Sequence, residues 1–414
     1  MDRPTATDDV RMRGFTKRHT VAEALDWLDA QLHVLDAEVV PLHLAAGRVL
    51  AAAVTSGVDV PGFDRATMDG FAVVASSTDG AGPYSPLPLT VVGDALPGRS
   101  FDGTIAVGEA VRIMTGAPMP RGADAVVPAE FVDGERGARR INVLAAVSPG
   151  KNVGTRGEDI TCGTVLLEPG RRLRPQDVGL LSSVGQAQIT AVRQPRVRLV
   201  VTGNELLPSG SRPDGVHIAD ANGPMLAALI ERDGGIVDFP GLVRDERQAL
   251  LDALHADADA VIVSGGSSVG LEDLAPTLVA ERGELAVHGI AMRPSSPTGL
   301  GRLGDRLVFL LPGNPVSTLC AYDFFAGRAI RALGGGSTSW PYRSIRATLA
   351  RKISSPIGRL DYARVKVIAG RVEPIAVGGA SILSSTTRAD GFVIVADDNE
   401  GFPEGAEVEV WLYA

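Results

Sequence analysis

Cysteine is scarce in this chain: Cys162 and Cys320 are the two among 414 residues. So few cysteines cannot form the disulfide framework of a small secreted domain, which favours a reducing compartment. Hydrophobic residues make up 45% of the chain and charged residues 21%, so the composition is that of a globular protein with a large core. We therefore interpret both cysteines as small buried apolar residues.

Long apolar runs and an excess of positive charge are also missing. The chain lacks the roughly 18 consecutive apolar residues of a membrane-spanning helix, and residues 1–19 are polar, unlike a signal peptide. A net charge of -9 at pH 7 argues against nucleic acid or an anionic membrane as the main partner. We expect a cytoplasmic protein that binds anions only locally.

Several common site motifs are absent. The first strand of the α/β pattern is not followed by Gly-x-Gly-x-x-Gly, and the chain has no Gly-x-x-x-x-Gly-Lys-Ser/Thr, which disfavours a dinucleotide dehydrogenase and a P-loop NTPase. The histidines and cysteines never reach a metal-ligand spacing, which disfavours structural zinc. Residues 266–270 spell Gly-x-Ser-x-Gly, but the one later histidine, His288, follows within about 20 residues and before the next strand, which disfavours a serine hydrolase.

The pattern of apolar residues changes along the chain. Helical spacing from Val21 to Leu35, with Thr20 as the cap, predicts an amphipathic helix. Short β-prone pieces between Gly, Pro and Asp fill residues 61–147, and β-prone pieces return after Trp340. We predict a multi-domain α/β plus β protein with a central three-layer α/β domain, a β-rich insertion domain and a C-terminal β-barrel-like domain.

The α/β pattern is clearest between residues 195 and 334. Strands alternate there with helices of about a dozen residues, which indicates βαβ units and a mostly parallel sheet covered on both faces. A helix opens near Asn222, and another runs from Asp245, as its cap, through Leu254. The predicted strands are Val197–Val201, Ile236–Val243, Ala260–Val263 and Leu307–Leu311.

Three strand ends in this region carry glycine and polar residues. Residues 202–205, 264–273 and 312–317 each follow a predicted strand. Ligands of open α/β sheets bind beyond the carboxyl ends of the strands, where glycine lets the backbone approach a phosphate. A single turn of this kind is more often only a tight turn, but three on one sheet predict an anion site.

Acidic residues accompany these turns and the glycines of the β-rich region. Carboxylate oxygens suit Mg²⁺, which often joins a phosphate to one or two carboxylates. The alternative for each residue is a turn or a helix cap, and for Asp245 the capping role is an equal alternative. The candidates are Asp69, Asp159, Glu205, Asp245 and Asp273.

Long motifs in one order make the chain resemble a known family. They are residues 61–73 (Pro-Gly-Phe-Asp-Arg-Ala-Thr-Met-Asp-Gly-Phe-Ala-Val), 113–120 (Ile-Met-Thr-Gly-Ala-Pro-Met-Pro), 122–127 (Gly-Ala-Asp-Ala-Val-Val), 156–160 (Arg-Gly-Glu-Asp-Ile), 202–206 (Thr-Gly-Asn-Glu-Leu), 312–317 (Pro-Gly-Asn-Pro-Val-Ser), 384–385 (Ser-Ser) and 389–391 (Ala-Asp-Gly). The chain is thereby similar, over nearly its whole length, to the molybdopterin molybdenumtransferases, which include the bacterial molybdenum-insertion enzyme and the C-terminal domain of gephyrin.

The resemblance implies an architecture and a reaction. It implies a homodimer whose active sites form between the α/β domain of one subunit and the β-rich domain of the other. The implied domains are residues 17–58 with 148–192 (domain I), 59–147 (II), 193–336 (III) and 337–414 (IV). Each site would insert molybdate into adenylylated molybdopterin, with Mg²⁺-dependent release of AMP. A molybdopterin adenylyltransferase and acceptor molybdoenzymes are the implied protein partners.

Residue roles carry over by motif match. The implied catalytic residues are Asp69, Thr115, Asp159, Glu205, Asp245 and Asp273, and three of them, Glu205, Asp245 and Asp273, would hold the metal. The implied substrate-binding residues are Gly265, Gly266, Ser267, Ser268, Gly270, Arg293, Ser296, Pro312, Gly313, Asn314 and Ser384.

Residues 293–297 depart from the family pattern. They read Arg-Pro-Ser-Ser-Pro where the family usually has Lys-Pro-Gly-Lys-Pro, and Ser267 replaces a usual valine. Arg293 can still bind an oxyanion, whereas Ser296 cannot replace the charge of a lysine. This departure motivates one alternative, a weakened family member acting as a dimeric, gephyrin-like scaffold for partner peptides. An unrelated phosphosugar or nucleotide enzyme is a further alternative.

Overall fold

The computed structural model describes residues 18–135, 137–266, 274–376 and 379–413. The stretch before residue 70 contains α1 (Val21–Asp29), β1 (Ala37–Pro41), β2 (Val54–Thr55) and β3 (Arg65–Ala66). The next stretch contains β4 (Gly70–Val73), β5 (Leu87–Ala95), β6 (Glu109–Ile113), β7 (Ala125–Pro128), β8 (Val132–Asp133) and β9 (Arg140–Val143). It is followed by β10 (Val153–Gly154), β11 (Val165–Leu167), α2 (Pro175–Ser183) and β12 (Gln188–Val192).

The second half of the chain contains the longer helices and strands. From residue 196 they are β13 (Arg196–Thr202), β14 (Leu206–Leu207), β15 (Ile218–Ala219), α3 (Asn222–Arg232), β16 (Ile236–Asp238), β17 (Leu242–Val243), α4 (Arg247–Leu254), β18 (Ala260–Ser264), α5 (Ala275–Arg282), β19 (Glu284–His288), β20 (Met292–Arg293), β21 (Gly299–Leu303), β22 (Arg306–Leu311), α6 (Pro315–Ala321), a π-helical turn (Tyr322–Ala326) and α7 (Gly327–Leu333). The chain continues with β23 (Arg343–Leu349), β24 (Ile353–Ser354), β25 (Leu360–Ile368), β26 (Arg371–Ala376), α8 (Ser384–Arg388), β27 (Gly391–Val395), β28 (Gly401–Phe402) and β29 (Glu407–Leu412).

A seven-stranded sheet forms the centre of the molecule, in the order β16-β13-β18-β22-β21-β19 with β17 beside β13. The first four strands are parallel, and β21 and β19 are antiparallel additions. One face packs against α1, α3, α6 and α7, and the other against α4 and α5. Helices on both faces and a mostly parallel sheet confirm the predicted three-layer α/β fold.

Two further β structures lie outside the central sheet. Strands β4 to β9 form a six-stranded sheet in the order β7-β4-β6-β5-β9-β8, as expected for the β-rich region. In the C-terminal part, β25, β26, β23, β29 and β27 close into a five-stranded barrel because β25 pairs with both β26 and β27. Trp340 packs edge-to-face against Phe324, Phe392 and Trp411, which joins the barrel to the helical layer.

The structure corrects the bounds of two predicted elements. Helix α1 begins after the predicted cap Thr20, which forms a capping box with Glu23, but it ends at Asp29 instead of Leu35. The N–H groups of Gln31 and Leu32 bond only three residues back, and the Leu35 N–H donates to Leu333 O at 2.9 Å. The strand expected at 236–243 is split into β16 and β17 by Pro240, which lacks an N–H, and Gly241, whose φ is 100°. Each piece still pairs with β13.

Cys162 is exposed, against expectation, while Cys320 is buried. Cys162 lies in a turn, where its N–H donates to Asp59 Oδ1 at 2.7 Å. The backbone bond holds the residue in place, and the thiol stays at the surface. Every helix within the described ranges is too short or too polar to cross a lipid bilayer.

Candidate active site

A cleft of about 540 Å³ opens at the carboxyl ends of β13, β18 and β22. We call it the main cleft. It brings together all three strand ends that the sequence singled out, because parallel strands end on the same side of a sheet. The predicted residues that line it are Glu205, Asp245, Gly265, Gly266, Pro312, Gly313 and Asn314.

Asp245 connects the segment after β17 to the end of β13. Its carboxylate accepts a short hydrogen bond from the Thr202 hydroxyl and another from the Asn204 N–H at 3.1 Å. The capping alternative is wrong, since α4 begins at Arg247 after Glu246 and has no side-chain cap. Asp245 therefore holds the turn after β13 in place at the wall of the main cleft.

Gly265 allows β18 to turn tightly beside β13. Its φ is 95°, and a Cβ at this position would lie 2.1 Å from the carbonyl oxygen of Thr202. Only glycine fits such a close approach of two backbones. The turn thereby leaves peptide groups at the floor of the cleft.

Asn222 fixes the floor of the cleft from the start of α3. Its Nδ2 donates to Ser264 Oγ at 2.9 Å and to the Gly313 carbonyl at 2.7 Å, so one amide joins the ends of β18 and β22. The apolar pattern predicted a helix start near Asn222 but no role for its side chain. A polar residue at a helix start beyond a strand end was the available signal.

Carboxylates make the main cleft suitable for a hard cation next to a phosphate. Glu205, Asp220 and Asp245 line it. Within the described ranges no group of three or more His, Cys, Asp or Glu side chains could hold a metal by itself. One or two carboxylates completed by substrate phosphates are the usual Mg²⁺ environment, so these residues fit that ion. Asp273, Ser267, Ser268 and Gly270 lie outside the described residues.

A smaller cavity of about 290 Å³ adjoins the main cleft, with which it shares Pro297, Pro312 and Asn314. We call it the side cavity. Three arginines line it: Arg18, Arg293 and Arg359. The predicted residue Ser296 is also in its wall, with a hydroxyl oxygen that is shielded from solvent and has no hydrogen-bond partner among the described residues.

Arg293 is oriented by the C-terminal barrel. It pairs with Asp361, a fully buried carboxylate that also accepts from Arg359 Nε at 3.0 Å and from the Ser355 hydroxyl at 2.9 Å. Asp361 therefore fixes two guanidinium groups at the side cavity. Neither Arg359 nor Asp361 was predicted, since the residues around the start of β25 give no sign in the sequence of a neighbour in the α/β region.

Asp69 and Thr115 form a second predicted pair, away from the main cleft. Asp69 Oδ1 accepts from both the N–H and the hydroxyl of Thr115, each at 2.7 Å. Both bonds lower the pKa of Asp69 below its usual value, and the bond from the Thr115 N–H has the larger effect. Asp69 lines a separate cavity of about 290 Å³ with Arg112 and Glu135, so a single chain does not bring it to Asp245.

Asp159 and Ser384 line neither the main cleft nor the side cavity. Asp159 is an exposed turn residue whose N–H binds Val60 O at 3.1 Å. Ser384 opens the short helix α8 and is also exposed, whereas the nearby Ser381 lines the main cleft. The Ser381 contact was missed because the preceding loop has no regular pattern.

Comparison with known proteins gives consistent results along the chain. The family described as "MoeA N-terminal region (domain I and II)" matches residues 19–185, "Probable molybdopterin binding domain" matches 198–332, and "MoeA C-terminal region (domain IV)" matches 346–413.

Individual relatives agree with these matches. A Mycobacterium tuberculosis protein named molybdopterin molybdenumtransferase 2 is 34% identical over 386 residues, which cover 90% of this chain and 94% of that protein. A molybdopterin molybdenumtransferase of Haemophilus influenzae is 32% identical over 385 residues, covering 90% and 93%. The crystal structure of the molybdopterin biosynthesis MoeA protein from Pyrococcus horikosii matches with a TM-score of 0.80 and 35% identity, covering 96% of this chain and all of that one.

Proposed function

The chain belongs to the molybdopterin molybdenumtransferase family, and from that premise we propose that it inserts molybdate into adenylylated molybdopterin and releases AMP in a Mg²⁺-dependent step. The main cleft carries this proposal, because three strand ends with glycine turns and carboxylates converge on it. Its volume of about 540 Å³ is in the range of small-molecule sites.

The main cleft would hold the pterin and the phosphoanhydride. Peptide groups at the Gly265 turn can approach phosphate oxygens closely, because no Cβ blocks them. Glu205 and Asp245, with Asp273 as an expected further ligand, would hold Mg²⁺. When bound, the ion would neutralise the negative charge that develops on the phosphate oxygens. Asp245 also keeps the turn after β13 in position through Thr202 and Asn204.

The side cavity would hold the second substrate, molybdate. Each guanidinium group in its wall is planar and can donate several hydrogen bonds to the oxygens of a tetrahedral oxyanion. Because the cavity shares a wall with the main cleft, a bound anion there would lie next to the substrate. Proximity of this kind converts a bimolecular reaction into a step within one complex.

Asp69, Thr115 and Asp159 would act in the site of a partner subunit. Within one chain Asp69 is hydrogen-bonded to Thr115 and lines a cavity that shares no lining residue with the main cleft. Large exposed side chains surround this region, with Phe63 45% exposed, Met68 39% and Met114 37%. A dimer that covers these side chains would bring the β-rich sheet of one subunit to the cleft of the other.

The experiment that tests the proposal supplies pure protein with adenylylated molybdopterin, molybdate and Mg²⁺. We expect AMP release together with active cofactor, and a loss of at least roughly 100-fold in Asp245→Asn. Asp257→Asn is the matched control, because Asp257 is an exposed carboxylate that pairs with Arg196 at the amino end of β13. Wild-type protein that releases no AMP above a buffer control would refute the proposed reaction.

The gephyrin-like scaffold is the second candidate, and the serine at position 296 favours it because the family's lysine charge is missing there. This candidate predicts no AMP release by the wild type. It also predicts a partner peptide that binds wild type and Asp245→Asn equally.

A further inference from the structure

We propose that Arg18 supplies the free positive charge that binds molybdate in the side cavity, in place of the charge absent at Ser296. This inference rests on the proposed function, which assigns an oxyanion to that cavity. It adds Arg18 to the binding site, at a position outside every motif of the family resemblance.

The charges around the side cavity distinguish Arg18 from the other two arginines. Arg293 and Arg359 both pair with the buried Asp361, so part of their charge is already neutralised. Arg18 is exposed and forms no ion pair or side-chain hydrogen bond with the described residues. Its guanidinium can therefore bind a ligand without giving up a partner inside the protein.

The backbone next to Arg18 is fixed to the wall of the cavity. The His19 N–H donates to Gly289 O at 3.0 Å, and the His19 carbonyl accepts from the Ala291 N–H at 2.7 Å. These bonds attach the chain to the segment that leads directly into Arg293. Arg18 is thus held at the cavity by pairing with its wall, so its side chain loses less freedom on binding than one on a free tail.

Ser296 explains why an additional cation is needed. Its Oγ is shielded from solvent and has no partner among the described residues, so it offers one hydroxyl to a polar ligand but no charge. In the family pattern this position is a lysine. Arg18 reaches the same cavity from a different part of the chain, which keeps a third cation beside Arg293 and Arg359.

Two anions share the chemistry that such a cavity recognises: free molybdate and the phosphates of the pterin substrate. We assign molybdate, because the cavity of about 290 Å³ is the smaller of the two spaces and the main cleft has the glycine turns for phosphates. Titration with molybdate alone and with AMP alone separates the two sources.

The test measures both affinities for the full-length protein by equilibrium dialysis. We expect Arg18→Ala to weaken molybdate binding about tenfold and AMP binding less than about twofold. Arg18→Lys should keep most of the affinity because it keeps the charge. The double variant Arg18→Ala with Ser296→Lys should recover it, since the lysine returns a cation to the cavity. Arg371→Ala is the control, because Arg371 is exposed at the far end of the β25–β26 hairpin.

Unchanged molybdate affinity in Arg18→Ala, or no binding of molybdate by the wild type, would overturn the inference. An equal loss of molybdate and AMP affinity would overturn the assignment to molybdate. AMP release by the wild type tests the proposed function separately. An active wild type with an unaffected Arg18→Ala variant refutes only the role of Arg18.

Discussion

Ser295 has a backbone conformation that residues with side chains rarely adopt. Its φ is 92°, at the position where the family pattern has glycine. Such a conformation costs about 1–2 kcal/mol in a residue with a Cβ. The buried Ser295 hydroxyl donates to the Ser317 carbonyl at 2.5 Å, a bond that a glycine could not form. The bond offsets part of the backbone cost and ties the side-cavity loop to α6.

This balance predicts different effects for two small substitutions. Ser295→Ala keeps the strained backbone and loses the hydrogen bond, so we expect it to lower the free energy of unfolding by about 1–3 kcal/mol. Ser295→Gly loses the same bond but removes the strain, so it should stay within about 1 kcal/mol of wild type. Urea unfolding of both variants measures the difference. If alanine proved as stable as glycine, the strain argument would be wrong.

Single residues also show which parts of the site could be predicted from the sequence. Asp245 was correctly predicted beside a strand end. The sequence left open whether its carboxylate caps a helix or acts in a turn, and the fold shows that it accepts hydrogen bonds from Thr202 and Asn204. Arg18 and Asp361 could not be identified, because Arg18 meets residues from Met292 onward and Asp361 pairs with Arg293, which is 68 residues away in the chain. The catalytic roles of Asp69, Thr115 and Asp159 stay predictions.

At the scale of elements, the tight turn that directly follows β18 depends on Gly265. A Cβ there would meet the Thr202 carbonyl oxygen at 2.1 Å, and φ is 95°. We expect Gly265→Ala to push β13 and β18 apart at the cleft, lowering the free energy of unfolding by about 3 kcal/mol or more and weakening AMP binding.

Gly304→Ala is the matched control for this prediction. Gly304 also has a positive φ, of 64°, but a Cβ there would meet nothing within 4 Å. Its cost should be about 1–2 kcal/mol, from backbone strain alone. Thermal unfolding and AMP titration compare the pair. Equal effects would show that the contact with Thr202 is unimportant.

Elements with strong periodicity were predictable, and interrupted ones were not. Strands β18 and β22 and helix α3 lie where the apolar pattern placed them, because each is buried in the central sheet or against it. The break between β16 and β17 was hidden because Pro240 and Gly241 stand within an otherwise apolar run. The early end of α1 was not visible in the apolar spacing, which continues to Leu35 although the Leu35 N–H leaves the helix and donates to Leu333 O.

Across the whole molecule, a buried charge network joins the α/β centre to the segment before the barrel. Asp323 accepts from the Tyr342 hydroxyl at 2.9 Å and from Arg232 at 3.3 Å, while Asp233 adds a second negative charge nearby. Burial raises the pKa of Asp323 from its ordinary 3.8 to about 6. The folded protein therefore binds a proton at Asp323 more tightly than the unfolded chain does.

This shift predicts a pH dependence of stability. The contribution of Asp323 is fully present below pH 3.8 and is lost as the pH rises through about 6. Asp323→Asn cannot ionise, so its free energy of unfolding should fall less than that of the wild type across this range. Urea titrations at several pH values measure the two slopes, with Asp257→Asn as an exposed control. Parallel slopes for Asp323→Asn and wild type would contradict the prediction.

The proposed dimer makes a further prediction at this scale. If Asp69 completes the cleft of a partner, then Asp69→Asn and Asp245→Asn inactivate different halves of each site. Mixed subunits would contain one intact site per heterodimer, so an equal mixture should recover roughly a quarter of wild-type AMP release. Each variant is also assayed alone after the same unfolding and refolding. No recovery on mixing would place the whole site within one chain.

The overall architecture was the most predictable level, because the motif order covers nearly the whole chain. The three-layer α/β centre, the β-rich sheet and the barrel are all confirmed. The domain boundaries and the dimer stay predictions. A two-fold assembly depends on surface shape, which one sequence does not define.

Closure of the C-terminal barrel limits how that part of the molecule can recognise other proteins. Each of the five strands β23, β25, β26, β27 and β29 pairs with a neighbour on both sides over at least part of its length, so none is a fully free edge strand for an incoming extended peptide. The six-stranded sheet ends in β7 and β8, but the Val126 N–H of β7 already donates to Lys151 O at 3.0 Å, the Val126 carbonyl accepts from Asn152 Nδ2 at 2.9 Å, and β8 is two residues long. Both β structures therefore leave little edge for strand addition, so a partner protein must bind them mainly through side chains and loops.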